Sequence, residues 1–232
     1  MKSTNRFTPK PKTFSWSYSK LKNFESCAHR HYKVDIAKEF ADEIGDSLVL
    51  GNQAHEALAL AISKGKELPG KFEHLQKYVD DVTRVGNVDG TETLVEQKLA
   101  FREDFSPCEF FDNKAWFRGV IDVAQVRGPV AVIRDWKYGK VLEDSVQLAL
   151  FAQLVFSHHP KVQKIRTSFE WLVHDCNTRE DFSRADMADL WTTLEPRIEA
   201  MRQAYVTGEY PARKNGLCRK FCPVRSCIHY GG

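Results

Sequence analysis

Apolar residues recur at helical spacing from Ser17 onward: Leu21, Phe24, Ala28, Tyr32 and Ile36 fall near one face, with Ser17 or Ser19 placed to cap the segment. A second helix is predicted from about Ser47 through GNQAHEALALAIS to Gly65, and KFEHLQKYVDDVTRV is a third amphipathic segment. The periodicity then changes from that of a helix to that of a strand. ETLVEQKLAF, WFRGVIDVAQV and AVIRDWKYG are short β-rich runs divided by turn material, including Arg127-Gly128-Pro129. SVQLALFAQLVFSHH predicts an apolar helix stopped by Pro160, and IRTSFEWLV a further strand. Ser183 is placed to cap a final helix from about Arg184 to Val206, interrupted or kinked near Pro196 and ended by Gly208. This order of elements predicts a mixed α/β fold with one central sheet flanked by helices.

The strand pattern also carries candidate chemistry. Residues two apart on a strand share a face, so Asp135 and Lys137 project together while Trp136 turns away. The preceding run, with Asp122 after Gly-Val-Ile, can bring a second carboxylate beside them. Two carboxylates and an ammonium at the end of a sheet suit a divalent metal and a phosphodiester under attack. A D-x-K triplet alone carries little information, and an exposed hairpin with an Asp135–Lys137 ion pair is the simpler alternative.

Composition places the 232 residues, 42% hydrophobic and 28% charged, in the soluble globular class with one substantial core. No apolar run is long enough to span a bilayer, and MKSTNRFTPKPKTFSW lacks a secretory-type apolar stretch. The expected compartment is the cytosol, where six cysteines read as reduced thiols or metal ligands rather than disulfides. The net charge of +3 divides unevenly: +7 over residues 1–38, +5 over 202–232, and therefore −9 between them. Basic ends around an acidic middle suit a protein that holds a polyanion at its rim and metal at its centre; solvated basic tails are the plain alternative.

The arrangement Gly51-x3-His55, Glu96, Gly119-Val-Ile-Asp122, Asp135-x-Lys137 and Gln147, with the opening SYSKLKNFESCAHRHY, resembles the RecB-like branch of the PD-(D/E)xK nuclease superfamily over residues 17–227. That resemblance implies an α/β, restriction-endonuclease-like core with a central mixed sheet. It implies that His55, Asp122 and Asp135, with the backbone carbonyl of Trp136, bind Mg²⁺ or Mn²⁺, and that Lys137 orients the attacking water or stabilises developing charge. Glu96 is either an acid near the metal or a solvated strand residue. Gln147 begins the family's Q-x3-Y helix motif, although Phe151 stands where tyrosine is usual, and it is expected to touch DNA or Lys137. Arg118 and Lys140 are candidate phosphate contacts. The implied activity is DNA hydrolysis in DNA processing, recombination or repair, by exonuclease action more than endonuclease, with a helicase, recombinase or single-strand annealing protein as partner and no membrane. A catalytically weak DNA-binding or adaptor subunit on the same fold is the alternative.

RecB-like nucleases with an iron–sulfur cluster use one N-terminal and three C-terminal cysteines. The resemblance therefore implies that Cys27, Cys218, Cys222 and Cys227 hold a [4Fe–4S] cluster stapling the two ends together. Here the tail reads C-x3-C-x4-C where the family has C-x2-C-x5-C. Zinc, with His29 or His229 as a replacement ligand, and free thiols are the competing readings. Cys108 and Cys176 lack partners at suitable spacing and are expected to be packing residues. The expected organisation is a flexible basic arm (1–16), a nuclease domain (17–210) and a Cys-rich basic tail (211–232) packing back on the N-terminal helix.

Overall fold

The computed structural model describes residues 14–42, 45–142 and 144–232. Ser17 Oγ caps α1 (Tyr18–Ser26) by accepting from the Lys20 amide. The helix expected to run on toward Ile36 breaks at Cys27, whose backbone is extended. It resumes as the short α2 (Ala28–His31) and a π-helical turn, Tyr32–Ile36. α3 (Asp46–Lys64) ends at Gly65, whose φ of 63° supplies the left-handed cap. A 3₁₀ turn, Gly70–Leu75, leads into α4 (Gln76–Gly86).

The strands are β1 (Glu92–Phe101), β2 (Pro107–Cys108), β3 (Phe117–Arg127) and β4 (Val130–Lys137). They are followed by α5 (Ser145–His158), β5 (Lys164–Trp171), β6 (Cys176–Ser183) and α6 (Met187–Thr207). They form one six-stranded sheet in the order β2-β1-β3-β4-β5-β6. Only β4 and β5 are parallel, and α5 is the crossover that a parallel pair requires. The main core lies on the α5 face, where Ile121, Ala124, Ala131, Ile133 and Ile165 pack with α5, α6 and α1. The opposite face buries Val123 and Trp136 against α3 and α4. α5 is covered on nearly all sides, from Leu148 to Phe156, which explains why its sequence is apolar all round. No helix among the described residues is long and apolar enough to cross a membrane.

Several elements differ from the sequence expectation. β6 was not anticipated: it is a polar edge strand, stabilised by eight-residue pairing with β5 and by a two-bond Arg166–Asp181 contact at 2.8 Å. α6 runs through Pro196 without interruption, because Trp191, Leu194, Ile198 and Met201 anchor both sides of the proline in the core. The basic arm was expected to extend to residue 16. Residues 1–13 lie outside the described residues, but Trp16 is buried, bridges Phe117 in parallel and bonds Trp116 O through its amide at 2.9 Å. Cys108 is partly buried, whereas Cys176, expected to pack, is exposed at the start of the edge strand.

One glycine fixes the spacing between sheet and helix. A Cβ at Gly119 would sit 2.6 Å from Leu154 Cδ1 and 3.6 Å from Phe151 Cε1, both buried on α5. Replacing it pushes α5 away from β3 three residues before Asp122. We expect Gly119→Ala to lower unfolding stability by about 1–3 kcal/mol, and Gly119→Val by more, read as the shift in urea midpoint.

Candidate active site

β3 has eleven residues, but β4 pairs only with its second half, from Val123↔Arg134 to Val126↔Ala131 and Arg127↔Val130. Asp122 sits where the ladder stops. Its Oδ2 accepts from the Trp136 amide at 2.7 Å, a side-chain bond standing in for the missing strand pairing. Continuing the register one step sets Asp135 across from Asp122. On the other side, the β1–β3 pairing runs Val95↔Val123 and Gln97↔Ile121, skipping the Glu96–Asp122 position. Glu96, Asp122 and Asp135 thus fall in one row across three strands.

Glu96 is there in the left-handed region, with φ of 50°. This strains a non-glycine backbone and interrupts the ladder beside Asp122. α3 brings His55 to the same place: its Nδ1 lies 3.3 Å from Asp122 Oδ1. Donor atoms of His55, Glu96 and Asp122 all lie within 4.8 Å of one another. Gly51, one helical turn before His55, lets α3 approach β4, since a Cβ there would stand 3.3 Å from Tyr138 Cβ.

Asp135 and Lys137 share a face as the alternation implies, and Trp136 is buried on the other, 5.7 Å from the Tyr78 ring. The Lys137 ammonium lies against Asp135 Oδ2 in an ion pair and 4.8 Å from the Phe169 ring centroid. Asp135 is 4% exposed, and Lys137 is the partner of its Oδ2. Burial, then the Asp122 charge, pushes the Asp135 pKa well above the usual carboxylate range, against the opposing pull of Lys137. Burial and Asp122 likewise raise Glu96. His55 is also raised: burial alone would lower it, but the hydrogen bond and charge of Asp122, with Asp135 and Glu96, prevail. Carboxylates gathered beside an imidazole, one of them buried, are chemistry that fits a bound divalent cation.

The other expected site residues are placed differently. Gln147 is half-buried in the first turn of α5 and forms no hydrogen bond to Lys137 among the described residues; Phe151 is buried in the main core. Arg118, expected to face phosphate, directs its guanidinium to Phe110 O at 2.5 Å, Asp112 O at 2.9 Å and the Ser15 hydroxyl. It therefore ties the N-terminal segment and a loop to β3. Lys140 is exposed in the loop between β4 and α5. Two neighbours escaped the sequence reading. Phe169, beneath Lys137, follows from the β4–β5 register, which pairs it with Asp135. Tyr18 donates to Asp144 Oδ1 at 2.5 Å and so holds α1 against the end of the loop that follows Lys137; burial and Asp144 push its pKa up.

The four cysteines meet as well. Cys27, Cys218, Cys222 and Cys227 line one small pocket. The amides of Arg213 and Asn215 point at the sulfurs of Cys27 and Cys218, at 3.4 and 3.5 Å. The tail is held to the N-terminal helices by Asn215 Nδ2 donating to Ser26 O at 2.9 Å and by the stacked rings of Tyr32 and Tyr210.

Among known proteins, a structural likeness is found to the crystal structure of a "Putative exonuclease" from Eubacterium rectale. The TM-score is 0.51 at 13% identity, covering 92% of this chain and 89% of that one, which speaks to the fold alone. The crystal structure of a protein called SSO0001 aligns at a TM-score of 0.41 and 14% identity, over 96% of this chain and 90% of that one, too distant to carry an argument. No curated protein matches the sequence significantly. The family model of the PD-(D/E)XK nuclease superfamily matches residues 15–227, a span that includes every strand and the whole row of acids. By that match, the chain belongs to the PD-(D/E)XK nuclease superfamily.

Proposed function

We propose that this protein is a divalent-metal-dependent DNA nuclease that cuts from strand ends. The observation that carries the reading is the convergence of His55, Glu96 and Asp122 donor atoms beside the buried carboxylate of Asp135. His55, Asp122 and Asp135 would hold Mg²⁺ or Mn²⁺, with Glu96 and the Trp136 carbonyl as further oxygen donors. A bound ion would lower the pKa of an attacking water and offset charge on the scissile phosphate. Asp122 keeps one oxygen on the Trp136 amide, so that its other oxygen is fixed toward His55. Lys137 is partly exposed beside the acids, placed to orient a water or bond a phosphate oxygen. DNA as substrate is supported by the family and by the basic ends of the chain. Cutting from an end, and a helicase or recombinase as partner, rest on the resemblance to the RecB-like branch.

We further assign Cys27, Cys218, Cys222 and Cys227 as ligands of a [4Fe–4S] cluster that staples the tail to the N-terminal helices. All four line one pocket, and the amides of Arg213 and Asn215 supply the hydrogen bonds that metal-bound thiolate sulfurs accept.

End-labelled single- and double-stranded DNA should be degraded with Mg²⁺ or Mn²⁺ and not with EDTA. Asp122→Ala and Lys137→Ala should each lower the rate by about 10²-fold or more. DNA binding without cleavage by the wild type would instead identify an adaptor subunit. In EDTA, Asp135→Asn should raise the melting temperature at pH 8. The folded-state pKa of Asp135 lies above its unfolded value, so its ionisation opposes folding as pH rises between the two. The difference should vanish below the unfolded pKa, where both states are protonated. Anaerobically purified protein should contain iron and inorganic sulfide, about four of each per chain, lost in Cys222→Ala; stoichiometric zinc would contradict the assignment.

A further inference from the structure

The tail carries more than its cysteines. From residue 211 to 232 it has Arg213, Lys214, Arg219, Lys220 and Arg225 and no acidic residue. All five are exposed, and none forms a salt bridge among the described residues. Between them the tail presents large apolar side chains to solvent: Phe221 is 72% exposed and Tyr230 49%. Phe221 and Tyr230 line an open groove of about 400 Å³ together with Phe40, Lys220 and Arg225. The one acid in its wall, Glu39, is already matched by Lys33 at 2.6 Å, so Lys220 and Arg225 leave the groove net positive. Cys222 lies in the wall of this groove and of the cysteine cavity alike.

The exposed aromatics are gathered in one groove rather than scattered, and two cations, Lys220 and Arg225, line it with them. That pairing selects among occupants. An apolar protein surface would leave Lys220 and Arg225 without partners, and a duplex keeps its bases stacked on one another. A single strand offers both halves of the match: free base faces for Phe40, Phe221 and Tyr230, and phosphates for the two cations. We propose that this groove is a single-stranded DNA platform that guides a strand toward the row of acids. The proposal rests on the reading of the chain as a DNA nuclease. The tail and the loop after Lys137 are both anchored on α1. The tail is fixed to the end of α1 through Asn215 and Ser26, and α1 holds the end of the loop after Lys137 through Tyr18 and Asp144.

Fluorescence anisotropy with a labelled oligothymidylate and a blunt duplex of equal length, in EDTA, tests this on the full chain. Phe221→Ala,Tyr230→Ala should weaken single-strand binding by about tenfold or more and leave duplex binding within twofold. Phe221→Trp, which keeps a stacking face, should retain single-strand affinity. Lys220→Ala,Arg225→Ala should weaken binding and flatten its salt dependence. An oligonucleotide carrying 5-iodouracil should photo-crosslink to Phe221 or Tyr230. Unchanged single-strand affinity in the aromatic variant, or equal loss on both DNAs, would overturn the proposal. Cleavage with Mn²⁺ is followed in parallel: if the wild type cleaves but the aromatic variant binds normally, the platform fails and the nuclease stands. If the wild type neither binds nor cleaves, both fail.

Discussion

The bond from the Trp136 amide to Asp122 Oδ2 joins β3 and β4 just where their ladder ends. Without a side-chain acceptor there, the last residues of β4 would carry an unsatisfied buried amide. With it, β4 continues along β5 while its pairing to β3 stops. Asp122 is therefore fixed from behind by a backbone donor, and its second oxygen is aimed at His55. Asp135 and Lys137 inherit their positions from the same bond, since they flank the residue that donates it.

The end of this ladder gathers charge in a place that opposes charge. Asp135 is almost fully buried, Glu96 stands in a left-handed backbone conformation, and both have raised pKa values because burial and Asp122 disfavour ionisation. The rest of the sheet offsets this strain. The α5 face is covered by a nearly all-apolar helix packed to within the radius of a missing Cβ at Gly119, and the other face by α3 and α4 around Trp136 and Val123. A well-packed frame holding three acids in a row is a destabilised region maintained by its surroundings, the arrangement expected where a cation completes the structure.

How much of this the sequence disclosed follows from the range of each interaction. Asp135, Trp136 and Lys137 were legible because strand alternation is local, and the α3 and α5 helices because their caps and stops are. The order of elements gave a mixed α/β fold with one central sheet, and the motif resemblance implied the PD-(D/E)XK core. β6 was hidden because a polar edge strand lacks an apolar stripe, and its stability comes from pairing with β5. Arg118 looked like a free cation because its acceptors, Phe110 O, Asp112 O and the Ser15 hydroxyl, are set by tertiary structure. The left-handed φ of Glu96 has no signature in ETLVEQKLAF, and the meeting of Cys27 with the three tail cysteines depends on two chain ends brought together.

In the proposed nuclease, the row of acids and His55 share one divalent cation. A crystal soaked in Mn²⁺ and measured for anomalous scattering tests it most directly. A single strong peak bounded by His55, Asp122 and Asp135, with Glu96 adjoining, is the predicted result, and it should be absent in Asp122→Ala. Anomalous density only elsewhere on the molecule, or none at a concentration that supports cleavage, would contradict the account.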